Sequence, residues 1–379
     1  MENFPLISIV GNNWFPSAPG GLDRYIYELI YTLSRLDTKI SLFGLGLPKD
    51  SGDKAIEFNN LADPAQSLHH RLLSGYQASK GLALSKPDAV NIHFALNGLA
   101  TLPHLPKDVP VTCSFHGPWA IESQAEGAGK ASVWFKQQIE GVVYRRCDRF
   151  IVLSKAFGEI LHREFSIPWE KIHIIPGGVD TQQFQNTLSR QQAREILGWP
   201  QDRFILFTPR RLVHRMGLDK LLNAIAGLKT QKSDLWLAIA GKGPLRESLE
   251  RQATELGLSD QVKFLGFLPD KQLPIAYQAA DLTVMPSQTL EGFGLVLLES
   301  LSSGTPALCT PVGGMPDVIS GFSPELITQS PSSEALTIAL ESILNQTIPL
   351  PSRADCRRYA ATQFNWPDIA QQVKQVLLS

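Results

Sequence analysis

Ser287-Gln-Thr-Leu-Glu-Gly-Phe-Gly-Leu-Val-Leu-Leu-Glu299 is the stretch on which the reading of this 379-residue chain turns. It sets Glu291 before a Gly292-Phe293-Gly294 turn, then runs into Leu295, Val296, Leu297, Leu298 and Leu301, with Glu299 among them. This apolar spacing predicts a helix that starts near Gly294 and packs between a sheet and neighbouring helices. A helix placed this way presents backbone N–H groups to an anion at its beginning. Glu291 suits a sugar hydroxyl and Glu299 the hydroxyls of a ribose. The plainer alternatives are a solvated turn for Glu291 and a helix-side ion pair for Glu299.

Outward from that helix, short apolar runs alternate with longer helical patterns. Leu6–Gly11, Ile40–Leu45, Val90–His93, Val111–Ser114, Phe150–Leu153 and Ile172–Ile175 form one series. Phe204–Thr208, Leu235–Ala240, Val262–Phe264, Leu282–Met285, Pro306–Leu308 and Leu326–Thr328 form a second. Continuous apolarity suits buried parallel strands joined by crossover helices, so the class is α/β with two doubly wound domains. The break is expected after Pro176, where Gly177-Gly178-Val179-Asp180 runs into a polar stretch. That gives a first domain over 1–176 and a second over 177–361, with 362–379 carrying a C-terminal helix that crosses back to the first.

Composition narrows the partners. A hydrophobic content of 43% supports large cores, and a net charge of −1 lacks the excess of Lys and Arg that a nucleic-acid surface needs. The scattered Cys113, Cys147, Cys309 and Cys356 have neither metal-ligand nor disulfide-framework spacing, and the histidines share no metal motif. Met1 leads directly into the first strand without a signal-peptide pattern, and no apolar run spans a bilayer. The expected location is cytoplasmic, with any membrane contact peripheral at its cytoplasmic face.

Several turns point to an anionic ligand. Pro16–Arg24 follows the first strand, and Gly20 and Gly21 let a backbone approach phosphate at a helix entrance, or simply make a turn. Thr208–Asp219 places Arg210, Arg211 and Arg215 near another helix entrance, where guanidinium forks fit a diphosphate or decorate a solvated loop. Gly241-Lys242-Gly243 follows a further strand, and Lys242 reaches either phosphate or water. His116 ends a strand before Gly117 and serves a sugar hydroxyl or a structural hydrogen bond. Asp23, Arg24, Asn97, Trp119 and Glu122 either shape an acceptor entrance or cap helices and pack loops.

Together these motifs resemble retaining glycosyltransferase family 4. The likeness spans both halves: Gly20-Gly21, His116-Gly117, Gly177-Gly178-Val179-Asp180, Arg211-Leu-Val, Gly241-Lys-Gly and Glu291 through Glu299. It implies the GT-B architecture, two Rossmann-like domains facing a central cleft, which close on the substrates. It also implies retaining transfer of a hexosyl unit from a nucleotide-diphosphate sugar to a hydroxyl of a glycan, lipid-linked sugar or small polar acceptor. The nucleotide sugar, with a UDP-linked one favoured, is then a co-substrate, and no cofactor or metal is implied. The reacting set becomes His116, Arg211, Arg215 and Glu291. Gly20, Gly21, Arg211, Arg215, Lys242, Gly292, Phe293, Gly294, Leu295 and Glu299 become the donor-binding set, with Glu299 on the ribose.

Two departures stand out. Met216 occupies the position of the family's customary lysine, and a thioether supplies no charge, so Arg215 is preferred over Lys242 as the compensating cation. Asp317 stands where the family often has glutamate. The alternatives are a non-catalytic sugar- or nucleotide-binding protein and a phosphorylase of the same architecture.

Overall fold

The computed structural model describes residues 4–18, 20–185, 188–228 and 234–379. Pro19 of the first glycine turn and Asn186 and Thr187 of the polar stretch lie outside them. The chain divides into two compact units, residues 1–178 with 366–379, and residues 179–365.

The first unit contains β1 (Leu6–Asn13), β2 (Lys39–Leu45), β3 (Ile56–Ala62), β4 (Ala89–Ile92), β5 (Val111–Phe115), β6 (Arg149–Val152) and β7 (Ile172–Ile174). They form one parallel sheet of order β3-β2-β1-β4-β5-β6-β7. The second unit contains β8 (Phe204–Pro209), β9 (Leu235–Ala240), β10 (Val262–Gly266), β11 (Leu282–Met285) and β12 (Ala307–Cys309). Its parallel sheet has the order β10-β9-β8-β11-β12. Strands such as Ile7, Ile9, Val10 and Ile205, Leu206, Phe207 are wholly buried, as expected where helices cover both faces.

In each unit the chain leaves its first strand to one side and returns on the other. The reversals fall between β1 and β4 and between β8 and β11, where an open α/β sheet leaves a crevice beyond its strand ends.

Two expected elements change. β3 is absent from the sequence series because Glu57, Asn59 and Asn60 interrupt its apolar pattern; it is an edge strand with only its ends buried. Leu326–Thr328 is no strand: Pro324–Leu326 forms a 3-10 turn, whose proline fixes φ and lacks a ladder donor, and Ile327 makes a single bridge to Cys309.

The two units meet at 178/179 and at 365/366. Gly178 lies under the Trp366 indole, where an added Cβ would come within 2.6 Å of the ring. Val179 instead donates to the Phe364 carbonyl at 2.9 Å in the second unit. The helix Trp366–Leu378 packs on the helix Gly21–Ser34, with Trp366 edge-on to Tyr25 at 5.1 Å and Lys374 donating to the Leu36 carbonyl.

Candidate functional site

In the second unit, β8 hands the chain to Arg210, and its neighbour β11 leads into Ser287 and Glu291. Arg210 is only 9% exposed; it donates to Ser287 Oγ at 2.5 Å and pairs with the Glu291 carboxylate, to which Ser287 also donates at 3.2 Å. Glu291 is therefore a held carboxylate rather than a solvated turn residue. Leu290 before it sits at φ +54, unfavourable for a branched side chain, and Arg215 Nη1 donates to its carbonyl at 3.0 Å. Gly313, at φ +60, is required beside it: a Cβ there would lie 1.7 Å from the Glu291 carbonyl oxygen, which accepts from Gly314 N at 3.0 Å.

Gly294 then opens the helix Leu295–Ser302 at φ +90 with no side-chain cap, which suits its first amides to an anion. One turn on, Glu299 accepts a 2.7 Å hydrogen bond from the Tyr277 hydroxyl. Tyr277 is fully buried, its ring edge-on to Phe207 of β8 at 5.2 Å, so the sheet core sets the direction of Glu299.

The remaining predicted donor residues differ in exposure. Arg211 is exposed beside Arg210, Arg215 is 7% exposed, and Met216 is buried at 5%. Phe293 is buried with its ring against Phe364, so its backbone is what it presents near Gly292 and Gly294. Lys242 is exposed and lies over Phe267 at 5.4 Å. Its flanking Gly241 serves packing, since a Cβ there would meet the Arg210 carbonyl oxygen at 1.9 Å.

In the first unit, Gly20 caps the helix that begins at Gly21, again without a side-chain cap. Asp23 accepts from Asn13 N at 3.0 Å and Asn12 Nδ2 at 3.2 Å, and burial pushes its carboxyl up despite them. Asn97 Nδ2 donates to the Gly11 carbonyl at 2.9 Å. Both residues hold the end of β1. Arg24 lies 5.2 Å over the Phe15 ring.

His116 follows β5 and its Nε2 is 2.9 Å from Nδ1 of His93, which follows β4. Burial lowers the His116 pKa to about 3, and burial together with His116 lowers His93 well below the usual histidine range. Both rings are neutral at physiological pH.

They line a cavity of about 150 Å³ with Trp119, Glu122, Glu140 and Tyr144. Glu140 accepts from Trp119 N at 2.8 Å, Ala120 N at 3.2 Å and Tyr144 Oη at 3.4 Å. Burial nevertheless raises its pKa to about 7, and the Glu122 charge pushes the same way. Gly117, at φ +155, leaves room for Glu122, whose Oε1 a Cβ there would approach to 2.9 Å.

Residues 19–183 match the family model described as Glycosyltransferase Family 4, and residues 189–363 the one described as Glycosyl transferases group 1. Mannosylfructose-phosphate synthase of Agrobacterium fabrum is 30% identical over 98% of this chain and 91% of its own length. The chain belongs to glycosyltransferase family 4. A GDP-mannose-dependent α-(1-6)-phosphatidylinositol monomannoside mannosyltransferase of Mycolicibacterium smegmatis is 32% identical, over 51% of this chain and 50% of that relative. Sucrose-phosphate synthase of Thermosynechococcus elongatus superposes with a TM-score of 0.80 at 22% identity, covering 98% of both chains. Anabaena HepE, solved with UDP and glucose, gives 0.76 at 19% over 98% of this chain and 99% of that one. This family 4 glycosyltransferase thus has the GT-B fold.

Sequence reasoning about this glycosyltransferase missed the residues that hold its candidate groups. Tyr277 under Glu299, His93 behind His116, and Glu140 in the cavity wall each come from a different element than the residue they meet. Arg210 was recognisable as a strand-end cation, but nothing in the chain order distinguishes it from Arg211 as the partner of Glu291. No helix among the described residues is long and apolar enough to cross a membrane.

Proposed function

We propose that this chain transfers a hexosyl unit from a nucleotide-diphosphate sugar, with retention of anomeric configuration, to a hydroxyl of a glycan, lipid-linked sugar or small polar acceptor. The observation that carries this reading is the grouping around the β8/β11 reversal: Arg210 with Glu291, Arg215 under Leu290, and an uncapped helix start one turn before Glu299. A nucleotide sugar carries a sugar, a diphosphate and a ribose, and this grouping offers each a suitable partner.

In this reading Glu291 accepts from a hydroxyl of the transferred sugar, with Arg210 holding it in place. Arg211, Arg215 and the amides of Gly292 through Leu295 meet the diphosphate, and Glu299 accepts from the ribose hydroxyls. Gly20 and Gly21 bring a second helix start to the phosphates, and His116 meets the sugar. As the bond from the anomeric carbon to the leaving oxygen breaks, the departing diphosphate takes the acceptor's hydroxyl proton, and the acceptor oxygen bonds to the same face of the sugar. The cations and amides stabilise the negative charge that grows on the leaving group.

A UDP-linked sugar is the first donor to test, since the solved HepE neighbour holds UDP. The work is placed in the cytoplasm, with contact at the membrane face when the acceptor is lipid-linked. The buried Met216 is the one observation that favours a binding protein without turnover.

The test is a panel of UDP-, GDP- and ADP-sugars, each with and without sugar-phosphate, polyol and lipid-linked acceptors, following released nucleotide and glycosylated product together. The expected outcome is one donor consumed with the product anomer matching the donor's by NMR. Calorimetric donor binding without product in any combination would replace the transferase with a binding protein, and an inverted product would remove retention.

A further inference from the structure

Behind His116 lies a hydrogen-bond chain that begins deep in the first sheet. Ser114 Oγ donates to Asn91 Oδ1 at 3.0 Å, Asn91 Nδ2 is 2.9 Å from His93 Nε2, and His93 Nδ1 is 2.9 Å from His116 Nε2. Ser114, Asn91 and His93 are 2%, 0% and 3% exposed, so water does not compete for these groups. β4 and β5 are parallel neighbours with Asn91 opposite Thr112, which sets the two strand ends carrying His93 and His116 side by side. The ring centroids lie 5.2 Å apart with 20° between the planes, so the two rings are nearly coplanar and meet edge to edge, as an in-plane N–H···N bond requires.

The chain has a direction. An amide nitrogen only donates, and a neutral imidazole has one N–H and one bare nitrogen. Asn91 spends its oxygen on Ser114 and turns Nδ2 to His93, so His93 Nε2 is the bare nitrogen and its proton sits on Nδ1. That N–H donates to His116 Nε2, which is bare in turn. The proton of neutral His116 therefore sits on Nδ1. Desolvation keeps both rings uncharged, and the neighbouring His116 pushes His93 the same way.

We propose that Ser114, Asn91 and His93 are positioning residues that fix His116 as the Nδ1–H tautomer, so that His116 acts only as a hydrogen-bond donor to a substrate oxygen. Nε2 is filled by His93 and Nδ1 already carries a hydrogen, so the ring has no site left to take a proton from an acceptor hydroxyl. The recipient is a hydroxyl or ring oxygen of the sugar. That use of the hydrogen rests on the transferase reading, whereas the tautomer does not.

Ring 15N spectra of the full chain labelled in histidine, at neutral pH, test the proposal, with His116 assigned from the signals lost in His116→Gln. His116 and His93 should each show a protonated Nδ1 and a bare Nε2. Replacing His93 by Phe removes the donor and should move His116 toward the Nε2–H form that free histidine prefers. His93→Asn places an amide N–H near the lost Nδ1 and should restore the Nδ1–H pattern. A His116 protonated on Nε2, or on both nitrogens, in the unsubstituted chain overturns the proposal before any variant is needed. An unchanged His116 pattern in a folded His93→Phe protein overturns the relay as its cause. The spectra require no turnover, so an inactive chain with the expected tautomer sinks only the transferase reading, and an active chain with the other tautomer sinks only the relay.

Discussion

The second unit gathers charge at the ends of its strands, whereas the first gathers neutral hydrogen-bonding groups. Around β8 and β11, Arg210, Arg215, Glu291 and Glu299 are each held by a defined partner. Around β4 and β5, burial discharges His93 and His116 and holds Glu140 near its protonation midpoint at neutral pH. The difference follows from how each set is satisfied. Arg210 meets a carboxylate and a hydroxyl, whereas the histidines lose solvent and meet only neutral hydrogen-bonding partners. One unit is built to answer charge and the other to place directional hydrogen bonds.

The largest expected effect breaks the charged side. Arg215→Ala and Arg211→Ala should each lower kcat by roughly 10²-fold if these cations stabilise the leaving diphosphate. Normal steady-state turnover in both folded variants would remove the phosphate role. Glu299→Ala should weaken donor binding by roughly ten- to a hundredfold through loss of a charged acceptor, measured by calorimetry. An unaltered donor affinity would send Glu299 back to a structural role.

His116→Ala sharpens the contrast from the neutral side. It should cost roughly tenfold in turnover while nucleotide diphosphate binding stays near that of the parent, as expected for one lost neutral hydrogen bond in the reacting complex. Equal losses in both would make His116 a fold element. Tyr277→Phe should weaken donor binding about fivefold by removing one hydrogen bond that orients Glu299, with little change in kcat.

A last effect, on stability rather than on turnover, concerns Glu140. Its folded pKa of about 7 exceeds the ordinary 4.5, so the folded state binds more protons between those values. The stability it contributes is complete below about pH 4.5 and is lost as pH rises through 7, by up to about 1.4 kcal/mol per pH unit. Glu140→Gln should flatten that decline in denaturant midpoints measured from pH 5 to 8. An equally steep decline in the variant would show that Glu140 ionises normally and that the first unit is not a neutral site.

Much of this was readable in advance. Eleven of the twelve strands among the described residues overlap the expected runs, with shifts of a few residues, because buried parallel strands are short and continuously apolar. β3 escaped because an edge strand with polar Asn59 and Asn60 has no such run. The uncapped start of the helix Leu295–Ser302 was likewise foreseeable from Gly294 and the leucines after it. The Gly-Lys-Gly turn after a strand left Lys242 to either phosphate or water, and the fold adds a packing reason for Gly241, which clears the Arg210 carbonyl.

The sequence by itself determined the α/β class, the two-unit order, the family and the elements that carry Glu291, Glu299, Arg215 and His116. Periodicity and turn chemistry are local, so they report which face of its own element a residue occupies. Only the tertiary structure decided that Arg210 rather than Arg211 meets Glu291, that Tyr277 holds Glu299, and that His93 fills one nitrogen of His116. Those partners lie 81, 22 and 23 residues apart in the chain, and no local pattern encodes which distant element arrives opposite. That choice is made by strand order and helix packing, which bring the ends of adjacent parallel strands together whatever their separation in sequence.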